Sequence, residues 1–275
     1  MSKNLKVHLV IIDPQKDFMD DPDSSLPVTG ANEDMKRLSA FVDRCGKKLE
    51  DIHVTLDSHQ VIDVGHPGFW RDQNGNKPSP FTMILHDDVK NRIWTPRNEK
   101  YRKRMLDYTA VLEAGKRYMA MVWPEHCITS TPGHNVQLNL REALVNWARQ
   151  EWANIDYVTK GTNVFTEHYG ALMAEVPDPN DPSTQLNTEF LNILSEADIV
   201  AIAGEALSHC VLATVNQIAE NIGPEHIKKF HILTDCSSPV GKVGTGPDFP
   251  AIANAWLSDM EKLGMKLTTS KDFLK

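Results

Sequence analysis

The chain has 275 residues, enough to bury a substantial core in one large α/β domain, although length alone allows two. Its 37 acidic and 29 basic residues leave a formal charge of −8, which argues against a nucleic acid or an anionic membrane surface as main partner. The opening MSKNLKVHLV has no apolar run of signal-peptide length, and no segment approaches a membrane span. The four cysteines lack metal-knuckle spacing and are sparse for a disulfide scaffold, so a reducing, cytoplasmic setting is expected.

Residues 7–12, VHLVII, read as a strand buried on both faces. Proline at position 14 cannot continue it, which places Asp13 at its carboxyl end. Residues 20–30 are loop by composition, and 31–49 have helical spacing with Met35, Leu38, Phe41, Val42 and Leu49 as core positions. A second strand, Asp51 to Leu56, runs into Asp57-Ser58-His59. Residues 70–117 read as an insertion or lid within a single domain spanning 1–275, with a charged helix near 98–114. Tyr118 to Val122 is predicted as the third strand, leading to Trp123-Pro124-Glu125-His126-Cys127, followed by a helix over 139–152. Ile155 to Thr159 is the fourth strand and delivers Lys160; 188–196 is a short helix; Asp198 to Ala203 is the fifth strand. Cys210 then opens a helix carrying Val211, Leu212, Val215 and Ile218. His231 to Thr234 is the sixth strand, and the glycine-rich 241–246 loop, which does not match a phosphate loop, precedes a helix near 249–263. The last residues read as a short strand or tail.

Strands alternating with helices predict a doubly wound α/β fold: about six strands, mostly parallel, with helices on both faces. Ligands bind beyond the carboxyl ends of such strands, and that edge collects Asp13, Asp57, His59, His126, Lys160 and Cys210. A cysteine at a helix N-terminus meets unpaired N–H groups and the positive end of the dipole, both of which favour the thiolate. Lys160 would add a cation, and Asp13 could take the thiol proton and pass it to a leaving amine. Taken singly, Cys210 reads as a small core residue, Asp13 as a loop cap and Lys160 as a solvated lysine. Asp57, His59 and His126 make a carboxylate–imidazole set suited to zinc, iron or manganese with coordination positions left open; the plain alternative for Asp57 and His59 is surface-loop chemistry. Cys127 ranks well below Cys210 because a turn, not a helix, follows it. Cys45 and Cys236 read as core. Most of the eleven histidines, His168 and His209 among them, are expected to be structural or on the surface, with His66 and His134 as outer partners of the metal set at most.

In order along the chain, IIDPQKDF (11–18), LDSH (56–59), WPEHC (123–127), TPG (131–133), TKGTN (159–163), GEALSHCV (204–211) and LTDCSS (233–238) resemble the nicotinamidase branch of the isochorismatase-like cysteine hydrolases. The resemblance covers most of the chain outside 70–117. It implies an amidohydrolase in NAD salvage that converts nicotinamide to nicotinate and ammonia through a thioester. It implies Asp13, Lys160 and Cys210 as the catalytic set, and Asp57, His59 and His126 as ligands of a divalent metal, zinc before iron or manganese. It also implies Phe18 stacking on the substrate ring, a cis Glu205–Ala206 bond, and the amides of Ala206 and Cys210 as the oxyanion hole. The partner expected is a small amide; homo-oligomerisation stays open. Three departures stand out. Glu205 replaces a small or apolar residue, Gly133-His134-Asn135 replaces a Gly-Ala-Glu or Gly-Ser-Glu pattern, and the stretch between His59 and His126 is longer than usual, which bears on the choice of amide. The competing readings are a hydrolase with the same triad acting on another amide or carbamoyl compound, and a non-catalytic metal-binding module.

Overall fold

The structure is a computed structural model that describes residues 5–115, 119–242 and 247–275. In chain order the elements are β1 (Val7–Ile12), α1 (Ala31–Cys45), β2 (Asp51–Asp57), β3 (Trp70–Arg71), β4 (Met83–Ile84), α2 (His86–Lys90), β5 (Thr95–Pro96), α3 (Arg102–Gly115), β6 (Ala120–Met121), α4 (Leu138–Glu151), β7 (Asp156–Lys160), α5 (Thr188–Glu196), β8 (Ile199–Gly204), α6 (Leu212–Asn221), β9 (Phe230–Leu233), α7 (Phe249–Leu263) and β10 (Lys266–Thr268). Six strands form one sheet in the order β10-β9-β8-β1-β2-β7, with every pairing parallel. The chain winds outward from β1 through β2 to β7, then returns to the other side of β1 and continues through β8, β9 and β10. The reversal lies between β1 and β8, where such sheets open a crevice at their carboxyl ends.

Alternation in β1 explains the two layers. Leu9 and Ile11 join Met35, Leu38 and Phe41 of α1 and Leu140 and Leu144 of α4 on one face. Val10 and Ile12 join Phe190 and Leu194 of α5, Val215 and Ile218 of α6, and Trp256 of α7 on the other. At the switch point β1 and β8 approach closely: Gly204 has φ 117°, and a Cβ there would fall 2.0 Å from the carbonyl oxygen of Ile12. Only glycine suits that position.

The strand expected over Tyr118–Val122 is not in this sheet. Residues 116–118 lie outside the described residues, and β6 pairs antiparallel with β4 through Met83↔Met121 and Ile84↔Ala120. The position beside β2 is filled by β7, and the sixth strand of the sheet is β10, from the segment read as a strand or tail. An apolar run shows that a strand is buried, not which sheet it joins. The 241–246 loop is described only at residues 241 and 242.

The inserted stretch builds its own core. Phe69, Trp70, Ile84, Val89, Met105, Tyr108 and Leu112 close around Val64 and Val122. The Trp70 indole donates to the Val64 carbonyl at 2.8 Å. The Trp123 amide donates to Gly65 at 2.7 Å, and the Val122 amide to Thr82 at 2.9 Å. This lobe therefore grips the two loops that carry His66 and His126. Among the described residues no helix is long and apolar enough to cross a membrane, and all four cysteines are free.

Candidate active site

Asp13 leaves β1 with φ 41° and is fully buried. Its amide donates to Thr55 Oγ1 at 3.0 Å, and that hydroxyl donates back to Asp13 Oδ1 at 2.5 Å. Lys160, the last residue of β7, is 1% exposed rather than solvated. Its Nζ lies 3.0 Å from Asp13 Oδ2 and 3.0 Å from Asp57 Oδ1. It also donates to the His168 carbonyl at 2.8 Å and reaches 3.7 Å from Cys210 Sγ. Burial opposes its charge, but the two carboxylates outweigh burial and raise the ammonium well above its ordinary value. One buried cation thus ties together two carboxylates and a thiol from three strand ends.

Between β8 and α6 the chain forms a π-helical turn, Leu207–Val211, and Cys210 lies within it, two residues before α6 begins, rather than opening the helix. The Glu205–Ala206 bond is cis, as the resemblance implies. Glu205 is fully buried and accepts from the Ser238 amide at 3.2 Å. Burial, then Asp34, pushes its carboxyl well above the usual range. The Cys210 thiol departs from the expected resting thiolate: burial pushes it well above its ordinary value, with Lys160 opposing. Burial also raises Asp13, again against Lys160. Cys127 is fully buried and raised by burial, then by Asp57 and Asp17; it is not among the residues lining the cavity around Cys210.

Asp57 ends β2, and Oδ2 stands 3.1 Å from His59 Nε2 and 3.7 Å from His126 Nε2. The other nitrogen of His59 faces Asp63 Oδ2 at 3.1 Å, and His126 Nδ1 donates to the Pro124 carbonyl at 2.8 Å. His126 arrives on the loop after β6 rather than from a neighbouring strand of the sheet. His66, expected at the periphery, is fully buried with Nε2 3.4 Å from His126 Nδ1. His59, His66 and His126 each offer a nitrogen within 4.8 Å of the others. Three imidazoles, a carboxylate beside them and a second carboxylate orienting His59 make a donor set that fits a divalent transition metal. The site calls for positive charge: although burial opposes it, Asp57 and then Asp63 hold His59 well above its ordinary value. Burial pushes Asp57 up, but His59 and Lys160 outweigh it and keep the carboxyl well below its usual range.

The cavity above these groups is small, about 40 Å³. Cys210, Ala206, Asp57 and His126 line it together with the aromatic residues Phe18, Trp123 and Tyr169. Phe18 is 5.6 Å from His126, ring centroid to ring centroid, at 60°. Glu167, His168 and His209 also line it, and the sequence reading did not assign them there. Seven of the eleven histidines are buried: His8, His53, His59, His66, His126, His168 and His209. Burial, opposed by His59 and helped by Asp63 and Asp57, raises Glu167 to about 8, and among the described residues its Oε1 has no hydrogen-bond partner. Strand-end placement could have flagged residues 167–169, which follow Lys160 within one loop.

His209 packs edge-on to Trp123 at 5.5 Å and against Phe249 at 4.7 Å. Burial lowers it from 6.5 to about 4. Between those values the unfolded chain binds a proton that the folded chain does not, so this group withdraws stability as pH falls through that window and costs nothing above it. His209→Phe keeps the ring contacts. It is expected to lessen acid destabilisation between pH 6.5 and 4 by on the order of 3 kcal/mol. Urea melts across that range test this, and parallel pH slopes for the two proteins would reject it.

No protein-family profile and no curated protein sequence matches the chain. Solved structures do match in fold. The yeast nicotinamidase superposes with a TM-score of 0.62 at 19% identity, covering 95% of this chain and 99% of that one. A nicotinamidase/pyrazinamidase of Acinetobacter baumanii gives 0.62 at 19% identity, covering 99% and 100%. A pyrazinamidase of Pyrococcus horikoshii, solved in complex with zinc, gives 0.56 at 18%, covering 96% and 99%. The chain has the isochorismatase-like α/β fold along nearly its whole length.

Proposed function

We propose that this chain hydrolyses nicotinamide to nicotinate and ammonia through a thioester on Cys210. The observation that supports the reading is one small cavity lined by Cys210, Asp57 and His126, with Lys160 Nζ 3.0 Å from Asp13 Oδ2 and 3.7 Å from Cys210 Sγ. Nicotinamide has two ends that need those two sets: a carboxamide carbon for the thiol and a ring nitrogen for an electrophile. Asp57, His59 and His126, with His66 beside them, would hold a divalent ion, which when bound offers a Lewis-acid docking point for that nitrogen. Phe18 and Trp123 would flank the ring.

Sγ attacks the carboxamide carbon as its proton passes to Asp13, a transfer matched by the raised values of both groups. The oxyanion falls to the amides of Ala206 and Cys210, each such donor contributing ~3–4 kcal/mol in the transition state. Asp13 returns the proton to the departing nitrogen, the C–N bond breaks, and ammonia leaves. Asp13 then takes a proton from water, hydroxide attacks the thioester, the C–S bond breaks and the thiol is restored. Lys160 stays charged throughout and holds Asp13 in place.

A second reading, a larger or substituted amide, is favoured by one feature. Trp123, Tyr169 and His209 also line an adjoining apolar groove with Met83, Leu212 and Phe249, which would take a ring substituent. Ammonia release from nicotinamide, measured with chelator and after re-addition of zinc, iron or manganese, tests the proposal. Turnover that chelator abolishes and metal restores is expected. No turnover with any of the three metals would reject nicotinamide and leave substituted amides to be tried.

A further inference from the structure

A second histidine cluster lies at the opposite end of the strands. His8 of β1 and His53 of β2 are 4% and 2% exposed. His53 stands four residues before Asp57, roughly 13 Å along the strand. The register His8↔Asp51 and His53↔Asp156 places the four side chains on one face of the sheet, because registered partners point the same way. Phe190 of α5 closes over His53 edge-on at 5.4 Å.

The four form a line. Asp156 Oδ2 is 2.7 Å from His53 Nδ1, His53 Nε2 is 3.0 Å from His8 Nδ1, and His8 Nε2 is 3.5 Å from Asp51 Oδ2. A carboxylate only accepts, so Asp156 favours an N–H on His53 Nδ1 and leaves His53 Nε2 as a lone pair in a buried setting. It faces His8 Nδ1 at 3.0 Å: that nitrogen is either a second lone pair, or an N–H whose tautomer sets a bare His8 Nε2 3.5 Å from the Asp51 carboxylate. A cation shared by the two rings and Asp51 suits both arrangements.

We propose that His8 and His53 hold a second divalent transition-metal ion, of the zinc class, with Asp51 as the third ligand and Asp156 orienting His53. One nitrogen of His8, one of His53 and a carboxylate oxygen of Asp51 lie within 4.8 Å of one another. Two nitrogens bound about 2.0–2.1 Å from one tetrahedral zinc stand roughly 3.3–3.4 Å apart. To take the ion the pair parts by a few tenths of an ångström, the two rings turn so that their lone pairs converge, and the half-exposed Asp51 carboxylate swings from His8 Nε2 to the ion. The Asp51 and Asp156 side chains are each 47% exposed, which supplies an entry path and leaves room for water on the ion. The Asp156–His53 contact is the carboxylate–imidazole arrangement that fixes a ligand's tautomer. Nothing in this site depends on the proposed hydrolysis.

The test is zinc stoichiometry on the full chain. Chelator-treated protein, confirmed folded by circular dichroism, is loaded with zinc, passed through gel filtration and assayed for metal. His53→Gln is expected to bind one zinc per chain fewer than wild type, whether or not the His59 cluster is filled. Asp156→Asn, half-exposed and tolerant of change, is expected to keep the site but weaken zinc by about 10–100-fold. Should His53→Gln fail to fold, Asp51→Asn replaces it with the same expected loss. Equal stoichiometry in wild type and the ligand variant overturns the proposal, and the pair then holds a shared proton only.

Discussion

Replacing Cys210 with alanine is expected to lower nicotinamide turnover by at least about 10⁴-fold, because no other thiol can reach the cavity. The melting temperature is expected to move by less than about 4 °C, since only one small buried atom is lost. Cys127→Ala is the matched control. That thiol is equally buried, and its amide is the group engaged, donating to Asp17 Oδ2 at 2.7 Å. Activity within about threefold of wild type is expected there, a change under ~1 kcal/mol. Ammonia release and calorimetry on the two variants decide the matter. A Cys210→Ala protein that still turns over would remove the thioester from the mechanism.

Lys160→Met should act on stability as well as on chemistry. Methionine fits the space but leaves Asp13 and Asp57, each 3.0 Å from Nζ in the wild type, without their shared cation. Removing one partner of a buried ion pair costs about 3–5 kcal/mol, and for a chain of this size the melting temperature should drop on the order of 10 °C. The deficit has a pH signature. Without the lysine the folded-state values of the two carboxyls rise. The variant is then most handicapped near neutral pH and recovers relative to wild type as acid protonates them. Denaturant melts of metal-free protein from pH 7 downward test this. A deficit independent of pH would mean that Lys160 acts through packing alone.

The strand-to-turn switches at Asp13-Pro14, Asp57-Ser58 and the 204–210 stretch are local chemistry, and so they were legible along the chain. Proline ends β1, glycine permits the tight approach of β8, and near-continuous burial on both faces marks β1 and β2. A doubly wound sheet then necessarily brings those strand ends to one edge. The neighbours of that edge were less legible. His66 follows His59 by seven residues in a loop with no periodicity, and it is held inward by the Trp70–Val64 and Trp123–Gly65 hydrogen bonds beside it and by its own contacts with the Gln60 and Asp63 carbonyls. Ala120–Met121 has the composition of a sheet strand, yet its partner is β4, because the inserted lobe offers an apolar surface of its own.

Sequence by itself determined the α/β class, the parallel winding and the identity of the residues at the strand ends, since each follows from short-range sterics and hydrophobic period. Tertiary structure alone decided their electrical state. Lys160 is a surface lysine by composition and a buried hub by position, and burial raises the Cys210 thiol against the pull of one nearby cation. Desolvation depends on everything packed around a group, including a lobe distant in sequence, and no local pattern carries that information.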